Sequence, residues 1–281
     1  NFWEKRTMTS QKVKIQNVRG LHARATAEFV KLADTFSGEV YVTNEQGLRV
    51  NGKSIMGLLM LGASMGTTLT IEAEGESSYE ILEKLTLEEK VCLLSGHKSW
   101  HTNKITRVGL SSIFLTDGPH GLRKKKEGDN VVGLGQTELS TCFPAACTTG
   151  TSWNKELLYK MGVAMGEECR YYDVNLILGP AVNIKRNPLC GRNFEYFSED
   201  PVIAGQLGAK LTRGIEDMGV GTSVKHFACN NNEANRYFGD SIVDERAFRE
   251  IYLKAFEPII KEGRPQTVMC AYNNVNGTYA S

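Results

Sequence analysis

The strongest constraint on the fold is an alternation of short apolar runs with long helical stretches that begins after about residue 79. Four runs have the composition of strands and end in polar or charged residues: 112–115, 174–178, 222–224 and 267–270. Stretches of helical periodicity lie between them, at 154–171, 202–218 and 245–262. Continuous apolar strands that alternate with helices indicate a parallel sheet with right-handed crossovers. We therefore predict an α/β (β/α)8 barrel of the TIM type, whose functional residues lie at the C-terminal ends of the strands.

Residues 12–74 follow a different pattern. The segments 12–18, 39–43 and 68–72 alternate polar and apolar residues, as half-buried strands do, whereas 23–33 and 54–61 have helical spacing. The order β-α-β-β-α-β predicts an α+β open-faced sandwich with its helices on one face of an antiparallel sheet. The stretch 77–90 predicts one or two helices with Ser77 and Thr86 as N-caps. We place the domain boundary there, with domains at 8–84 and 85–281.

Composition excludes several classes of protein. The chain is 41% hydrophobic and 23% charged with a net charge of +1, which is typical of a soluble globular protein with no field to attract nucleic acid. The longest apolar stretch, 54–65, is shorter than the roughly 20 residues that span a bilayer. The basic run of Arg123 and the three lysines after it, beside Glu127 and Asp129, is interpreted as a solvated loop, with an anion-binding patch as the alternative.

The cysteines and the chain start bear on the compartment. The seven cysteines contain no Cys-x-x-Cys pair, which favours reduced thiols in a cytoplasmic protein over a disulfide frame or a zinc site. The first residues lack the pattern of a signal peptide, and Met8 is the first plausible start. We expect no metal and no cofactor.

The first candidate site is His22, which follows a predicted strand and opens a predicted helix. Its imidazole would lie near unpaired backbone N–H groups and the positive end of the helix dipole, where a phosphate on the ring nitrogen is stabilised and Arg24 adds charge. The alternative is a surface histidine at a helix start with no role.

Two segments in this region carry a family resemblance. GLHAR at 20–24 and VNGKSIMG at 50–57 resemble the HPr phosphocarrier family of the sugar phosphotransferase system, over residues 10–76. The resemblance implies that His22 carries the phosphoryl group, that Arg24 is its charge partner and that Ser54 is the regulatory serine. Its partners would be the phosphotransferase system enzymes. The family usually has proline after the arginine, where this chain has Ala25.

The second candidate site is formed by charged residues at the predicted strand ends. Asp117 follows the run that ends at Leu115, Lys225 and His226 follow Val224, and Arg192 and Glu195 lie in a polar loop. Carboxylates that accept from paired hydroxyls and cations that donate to them are what a sugar requires. Taken singly, each feature has an alternative interpretation that involves no sugar. Asp-Gly-Pro is usually a turn, Arg and Glu three apart a surface pair, and Lys-His a metal or phosphate site that here lacks further ligands.

Seven motifs follow one another along the chain: LTLEEKVCLLSG, TDGPHGLR, FPAACTTGTSWN, GPAVNIKRNPLCGRNFEYFSEDP, VKHFACNNNEANR, ERAFREIYLKAFE and MCAYNNVNG. In this order they resemble the N-terminal barrel of glycoside hydrolase family 3, the β-glucosidase and β-xylosidase group. The resemblance covers about 85–281 and implies retaining hydrolysis of O-glycosidic bonds in the full-length family. It also implies a β-glucoside-type sugar held by Asp117, Arg192, Lys225 and His226, with Arg236 lining the pocket and Tyr272 beside the nucleophile.

In this family the nucleophile is an aspartate on a strand after the segment that corresponds to 272–277, and the acid/base comes from a later domain. We therefore expect this chain to hold an incomplete barrel and to be inactive as a hydrolase. Three hypotheses follow: a β-glucosidase that continues past Ser281, a phosphocarrier acting through His22 with an appended barrel piece, or a chimera of two genes joined near 79–90. Glucose, xylose and N-acetylglucosamine all remain open as the sugar.

Overall fold

The structure is a computed structural model that describes residues 7–16, 20–34, 36, 38–75, 78–98, 100–126 and 135–280. The chain divides into two compact units. The first unit comprises Asn1–Ser95 and Asn103–Ser111, and the second comprises Gly96–Thr102 and Ser112–Ser281. Each unit has a hydrophobic core of its own.

The first unit is built on a four-stranded antiparallel sheet of order β1-β4-β2-β3. Its elements are β1 (Thr7–Lys14), α1 (Ala23–Asp34), β2 (Glu39–Thr43), β3 (Arg49–Asn51), α2 (Ile55–Met60), β4 (Thr68–Gly75), α3 (Ser78–Lys84) and α4 (Leu87–Leu93). This order confirms the predicted β-α-β-β-α-β pattern. The first strand begins earlier than predicted, and the last residues of its predicted range, Asn17 and Val18, lie outside the described residues.

The core of the first unit explains why these segments fold together. Val42 of β2 and Leu69 of β4 point to the same side as Val30 of α1 and Leu58 of α2, and all four are buried. The alternating strands thus bury one face against the apolar stripes of both helices. Thr86 caps α4 as predicted: its hydroxyl accepts from the Glu89 N–H, and the Glu89 carboxylate accepts from the Thr86 N–H. Ser77, the other predicted cap, lies outside the described residues.

The second unit is built on a four-stranded parallel sheet of order β11-β9-β8-β7. Its elements are β5 (Gly96–His97), β6 (His101–Thr102), β7 (Leu115–Asp117), α5 (Ala146–Thr149), α6 (Lys155–Tyr171), β8 (Leu176–Leu178), α7 (Pro201–Glu216), β9 (Gly221–Phe227), β10 (Asp240–Ser241), α8 (Glu245–Ala247), α9 (Phe256–Pro258), β11 (Thr267–Cys270), β12 (Asn274–Val275) and β13 (Thr278–Tyr279). The parallel pairing and the helices between the strands confirm the predicted βα alternation.

The predicted helical stretch over 245–262 is helical in the structure, but its hydrogen bonding is not that of one regular α-helix. The structure has α8, a π-helical turn at Phe248–Tyr252, α9 and a second π-helical turn at Ile259–Gly263. Leu253 N–H donates to the Phe248 carbonyl and Arg264 N–H to the Ile259 carbonyl, each five residues back. Pro258 has no N–H to donate, so regular α-helical bonding cannot pass through it.

Neither disulfides nor membrane-spanning helices occur in the described part of the chain. All seven cysteines are free thiols. No helix in the described ranges combines the length and the apolar character needed to span a bilayer.

Candidate functional site

The second unit brings charged residues together at one edge of its parallel sheet. Asp117 is the last residue of β7, and Lys225 and His226 lie within β9 near its C-terminal end. Because parallel strands end at the same edge of a sheet, the two strands place the Asp117 Oδ1 3.2 Å from the Lys225 Nζ. The sequence expectation that these residues follow the strands is corrected by two to three residues, since the strands end at Asp117 and Phe227 rather than at 115 and 224.

Glu195 joins Lys225 to the polar loop that follows β8. Its Oε2 lies 3.6 Å from the Lys225 Nζ, and its Oε1 accepts a hydrogen bond from the Arg192 Nε. The side chains of Lys225 and Glu195 are each only 4% exposed. The reading of Arg192 and Glu195 as a surface pair is therefore wrong, because a short 3-10 turn at Asn193–Glu195 folds the loop inward.

Arg123 also reaches this site. Its Nη1 lies 3.8 Å from the Asp117 Oδ2, and its backbone N–H donates to the Asp117 carbonyl. The neighbouring Lys124 donates from Nζ to the Tyr172 carbonyl at 2.8 Å. The solvated-loop interpretation thus misses the contacts of these two residues, although the Arg123 side chain stays 42% exposed, and Glu127 and Asp129 lie outside the described residues. The basic composition of the run did not distinguish Arg123 as a residue of the site. Its position just after the Gly-Pro-His-Gly turn was the sequence signal that could have done so.

Electrostatics keep Asp117 ionised. Burial raises the pKa of its carboxyl group, but the adjacent Lys225 ammonium and Arg123 guanidinium lower it more, so the net pKa lies below the usual 3.8. Asp117 is therefore an acceptor and not a proton donor at neutral pH.

His226 is buried and neutral. Its Nδ1 lies 3.5 Å from the hydroxyl of Tyr196, which is fully buried, and its backbone N–H and carbonyl are both bonded to the Asn183 side chain. Burial lowers the pKa of the imidazole to about 2, and the charges of Arg192 and Lys225 add to the effect. The ring is therefore uncharged at neutral pH.

Arg236 and Tyr272 connect to the site through Glu233. The Arg236 Nη1 lies 3.2 Å from the Glu233 Oε2, and the Glu233 Oε1 lies 3.9 Å from the Arg192 Nε. The Arg236 guanidinium stands 5.3 Å from the centre of the half-exposed Tyr272 ring. Arg236 thus extends the series of ion pairs through Glu233, and Tyr272 stands beside Arg236.

A pocket of about 420 Å³ opens on this edge of the sheet. Its lining includes Asp117, His120, Arg123, Arg192, Glu195 and Lys225, with Thr141, Cys142 and Phe194 on its walls. His226, Arg236 and Tyr272 are not in the lining. Two carboxylates, three cations and an aromatic ring form a surface that can accept from and donate to several hydroxyls at once.

The first unit places the other predicted residues at helix starts. His22 immediately precedes α1, and its carbonyl accepts from the Thr26 N–H. Ser54 is the N-cap of α2, where its hydroxyl accepts from the Gly57 N–H at 3.1 Å. Nothing can be said of the Arg24 side chain, which lies outside the described structure. Within the described residues, no group of three His, Cys, Asp or Glu side chains could hold a metal ion.

Two family models match the chain in different regions. The model described as the glycosyl hydrolase family 3 N terminal domain matches residues 109–281. The model described as the PTS HPr component phosphorylation site matches residues 9–87.

Several known proteins are similar to the second region. The chain is 50% identical over 202 residues to thermostable beta-glucosidase B of Acetivibrio thermocellus, which covers 72% of the chain and 27% of that protein. It is 49% identical over 211 residues to an exo-alpha-(1->6)-L-arabinopyranosidase of Bifidobacterium longum, with 73% and 27% covered. The structure of beta-glucosidase 3B from Thermotoga neapolitana in complex with glucose superposes with a TM-score of 0.66 at 46% identity, covering 72% and 30%. The chain thus spans a little over a quarter of the length of these relatives.

Proposed function

The chain belongs to glycosyl hydrolase family 3, and from that premise we propose that the pocket at the end of β7 and β9 binds a sugar of the β-glucoside type. The observation that carries the proposal is the continuous series Asp117–Lys225–Glu195–Arg192, in which each side chain is ion-paired to the next at one sheet edge. Pairing fixes the direction of each donor and acceptor before a ligand arrives, which lowers the entropy lost on binding.

Each residue then has a role in holding the ring. Asp117 accepts from hydroxyl groups, while Lys225, Arg192 and Arg123 donate to them. His226, which is neutral, supports the pocket from beneath through Tyr196. Arg236 and Tyr272 stand next to the pocket, beyond the residues that line it. The glucose complex of the Thermotoga neapolitana enzyme supports glucose as the ligand, and the similarity to an arabinopyranosidase makes arabinose the second candidate.

We propose further that these 281 residues bind the sugar without cleaving it. Retaining hydrolysis needs a carboxylate free to attack and a carboxylic acid that holds a proton, about 5 Å apart. Among the described residues of the site, Asp117, Glu195 and Glu233 are all ion-paired, and the pKa of Asp117 is lowered. The four parallel strands would be the first of an eight-stranded barrel, and cleavage would belong to the longer proteins of the family.

Calorimetric titration with glucose and with arabinose tests the site. We expect Asp117→Asn to weaken binding about tenfold or more, because a charge-assisted hydrogen bond is lost. Asp217→Asn is the matched control, since Asp217 is also ion-paired, to Arg213, but lies outside the pocket. The proposal would be refuted if the wild-type chain bound neither sugar, or if Asp117→Asn and Asp217→Asn bound it with equal affinity. Turnover of nitrophenyl β-glucoside by the wild-type chain would refute the absence of cleavage.

A second activity is favoured by the match over residues 9–87. We propose that residues 8–84 form an HPr-like domain that carries a phosphoryl group on His22, with Arg24 as charge partner and Ser54 as a regulatory site. Its partners would be the phosphotransferase enzymes of the cytoplasm. The position of His22 directly before α1, whose first N–H groups lack helical partners, supports this role.

Labelling tests the carrier. Phosphoenolpyruvate and the general phosphotransferase enzyme should label the wild-type chain and the His97→Ala control, and His22→Ala should remove the label. Label that persists in His22→Ala would assign the phosphate to another residue.

A further inference from the structure

A second cavity, of about 270 Å³, shares no lining residue with the sugar pocket. Its floor is formed by Cys229 and Tyr252, which are 2% and 8% exposed. Arg186, Asn187 and Asn232 stand at its mouth and are exposed. No aspartate or glutamate lines the cavity, whereas the sugar pocket contains two of them.

Arg186 supplies the only charge in this lining. Its Nη1 donates to the Tyr252 hydroxyl at 2.7 Å, which holds the guanidinium at the cavity. It forms no ion pair with any Asp or Glu in the described ranges. The Tyr252 oxygen accepts from Arg186, so the phenolic proton remains available as a donor.

The asparagines at the mouth also present donors. The Asn187 Oδ1 accepts from the Leu189 N–H at 2.9 Å, and the Asn232 Oδ1 accepts from the Ala234 N–H at 3.0 Å. Because the loop backbone occupies both side-chain oxygens, the amide NH₂ groups are what these residues can offer a ligand. Asn231 differs, since its NH₂ group donates to the Ile184 carbonyl. The Ser241 hydroxyl likewise donates to the Cys229 carbonyl, which leaves its oxygen as an acceptor. Among the polar side chains of the lining, four groups therefore present donors and two present acceptors.

We propose that this cavity binds a small oxyanion, the phosphate or carboxylate group of a metabolite. An oxyanion only accepts hydrogen bonds, so it can accept from a guanidinium, a phenol and two amide NH₂ groups without placing a donor against any of them. Arginine suits the role because its planar fork can bond two oxygens of one group. Burial raises the pKa of the Cys229 thiol to about 12, so the floor adds no negative charge to repel the ligand. The site is independent of the sugar pocket and does not rest on the function proposed there.

Titration of the full chain with inorganic phosphate and, separately, with acetate tests the site at constant ionic strength. We expect saturable binding of at least one of them, and the tighter one identifies the group. Arg186→Gln should weaken that binding about tenfold or more, and Arg186→Lys should weaken it less. Arg213→Gln is the control, because Arg213 lies on α7 and pairs with Asp217 instead.

A folding defect is separated from a binding defect by two further measurements. Tyr252→Phe keeps the buried ring and removes one donor, so it should weaken the oxyanion a few-fold. The midpoint of thermal unfolding should be nearly the same in Arg186→Gln as in the wild-type chain, which shows that the unit is intact. Absence of saturable binding by the wild-type chain, or equal affinity of wild type and Arg186→Gln, would overturn the proposal.

Discussion

At the scale of the residue, the central fact is that Lys225 is buried between two carboxylates. Its Nζ lies 3.2 Å from Asp117 and 3.6 Å from Glu195. A buried ammonium is tolerated only when it is paired, and removing one partner leaves an uncompensated charge. Glu195 neutralises two cations, since it pairs with Lys225 and also accepts a hydrogen bond from Arg192.

We therefore expect Glu195→Ala to lower the free energy of unfolding by about 3 kcal/mol, as for other buried pairs that lose a partner. Glu195→Gln should cost less, because the amide oxygen still accepts a hydrogen bond. Urea unfolding measures both. Glu257→Ala is the control, since Glu257 pairs with Lys254 and Lys261 on an exposed helix face and should cost far less. Equal losses at the two sites would contradict the burial argument.

His226 predicts a pH dependence with a definite sign. Its pKa falls from 6.5 to about 2 in the folded chain, so below pH 6.5 the unfolded chain gains a proton that the folded chain does not. Stability should therefore be fully present above pH 6.5 and fall by about 1 kcal/mol per pH unit on acidification below it.

The variant His226→Gln isolates this effect. Glutamine does not titrate, so the stability advantage of the wild-type chain over the variant should shrink between pH 6.5 and 5.5, as measured by urea unfolding. His97→Gln, at an exposed histidine, is the matched control for the loss of one imidazole. If the difference in unfolding free energy between wild type and His226→Gln did not change with pH, the ring would bind a proton as readily in the folded chain as in the unfolded chain, which would contradict the lowered pKa.

At the scale of the element, the turn after β7 decides the shape of the pocket. Gly121 has a φ of +129°, and a Cβ there would lie 2.1 Å from the Thr141 carbonyl oxygen. The Phe143 N–H donates to the His120 carbonyl, which fixes the same turn against residues 141–143. The pocket wall can form only where the backbones approach this closely, which requires glycine.

Gly121→Ala should consequently destabilise the second unit by more than about 2 kcal/mol and abolish glucose binding, because steric overlap adds to the cost of the dihedral angle. The matched control is Gly219→Ala, where φ is +77° but nothing lies within 4 Å of the new Cβ. That variant should cost only about 1 kcal/mol and keep its glucose affinity. Thermal unfolding and glucose titration of both variants give the comparison, and similar behaviour would rule out the close contact.

At the scale of the whole molecule, the proposed sugar site and the proposed phosphoryl site lie in two units with separate cores. The sugar pocket is built entirely from residues of the second unit, and His22 and Ser54 belong to the first. We expect glucose to slow amide hydrogen exchange in β7, in the turn at Asn193–Glu195 and in β9, and to leave α1 and α2 unchanged. Asp117→Asn should lose this protection. Protection of α1 with equal strength would contradict the assignment of the ligand to the second unit.

Much of this architecture could be predicted because local rules governed it. The apolar runs predicted the strands and their parallel order, and Thr86 with Glu89 predicted the start of α4. Periodicity predicted the helical stretch over 245–262 but not its two π-helical turns, because the spacing of apolar residues does not distinguish a single wide turn from an α-helical one. Arg123 was not singled out because the basic composition of the run does not show which member turns toward a carboxylate; only its position after the Gly-Pro-His-Gly turn pointed to it.

The sequence by itself determined the family and the residue types of the pocket, because motif order and strand spacing are local properties of the chain. Only the tertiary structure decided which of those residues meet. The salt bridges between Asp117 and Lys225 and between Lys225 and Glu195 join residues 108 and 30 positions apart. The surroundings then decided the charge states: neighbouring cations keep Asp117 ionised against the effect of burial, and burial keeps His226 neutral. Both depend on neighbours that the parallel sheet brings to one edge, and no local pattern encodes that proximity.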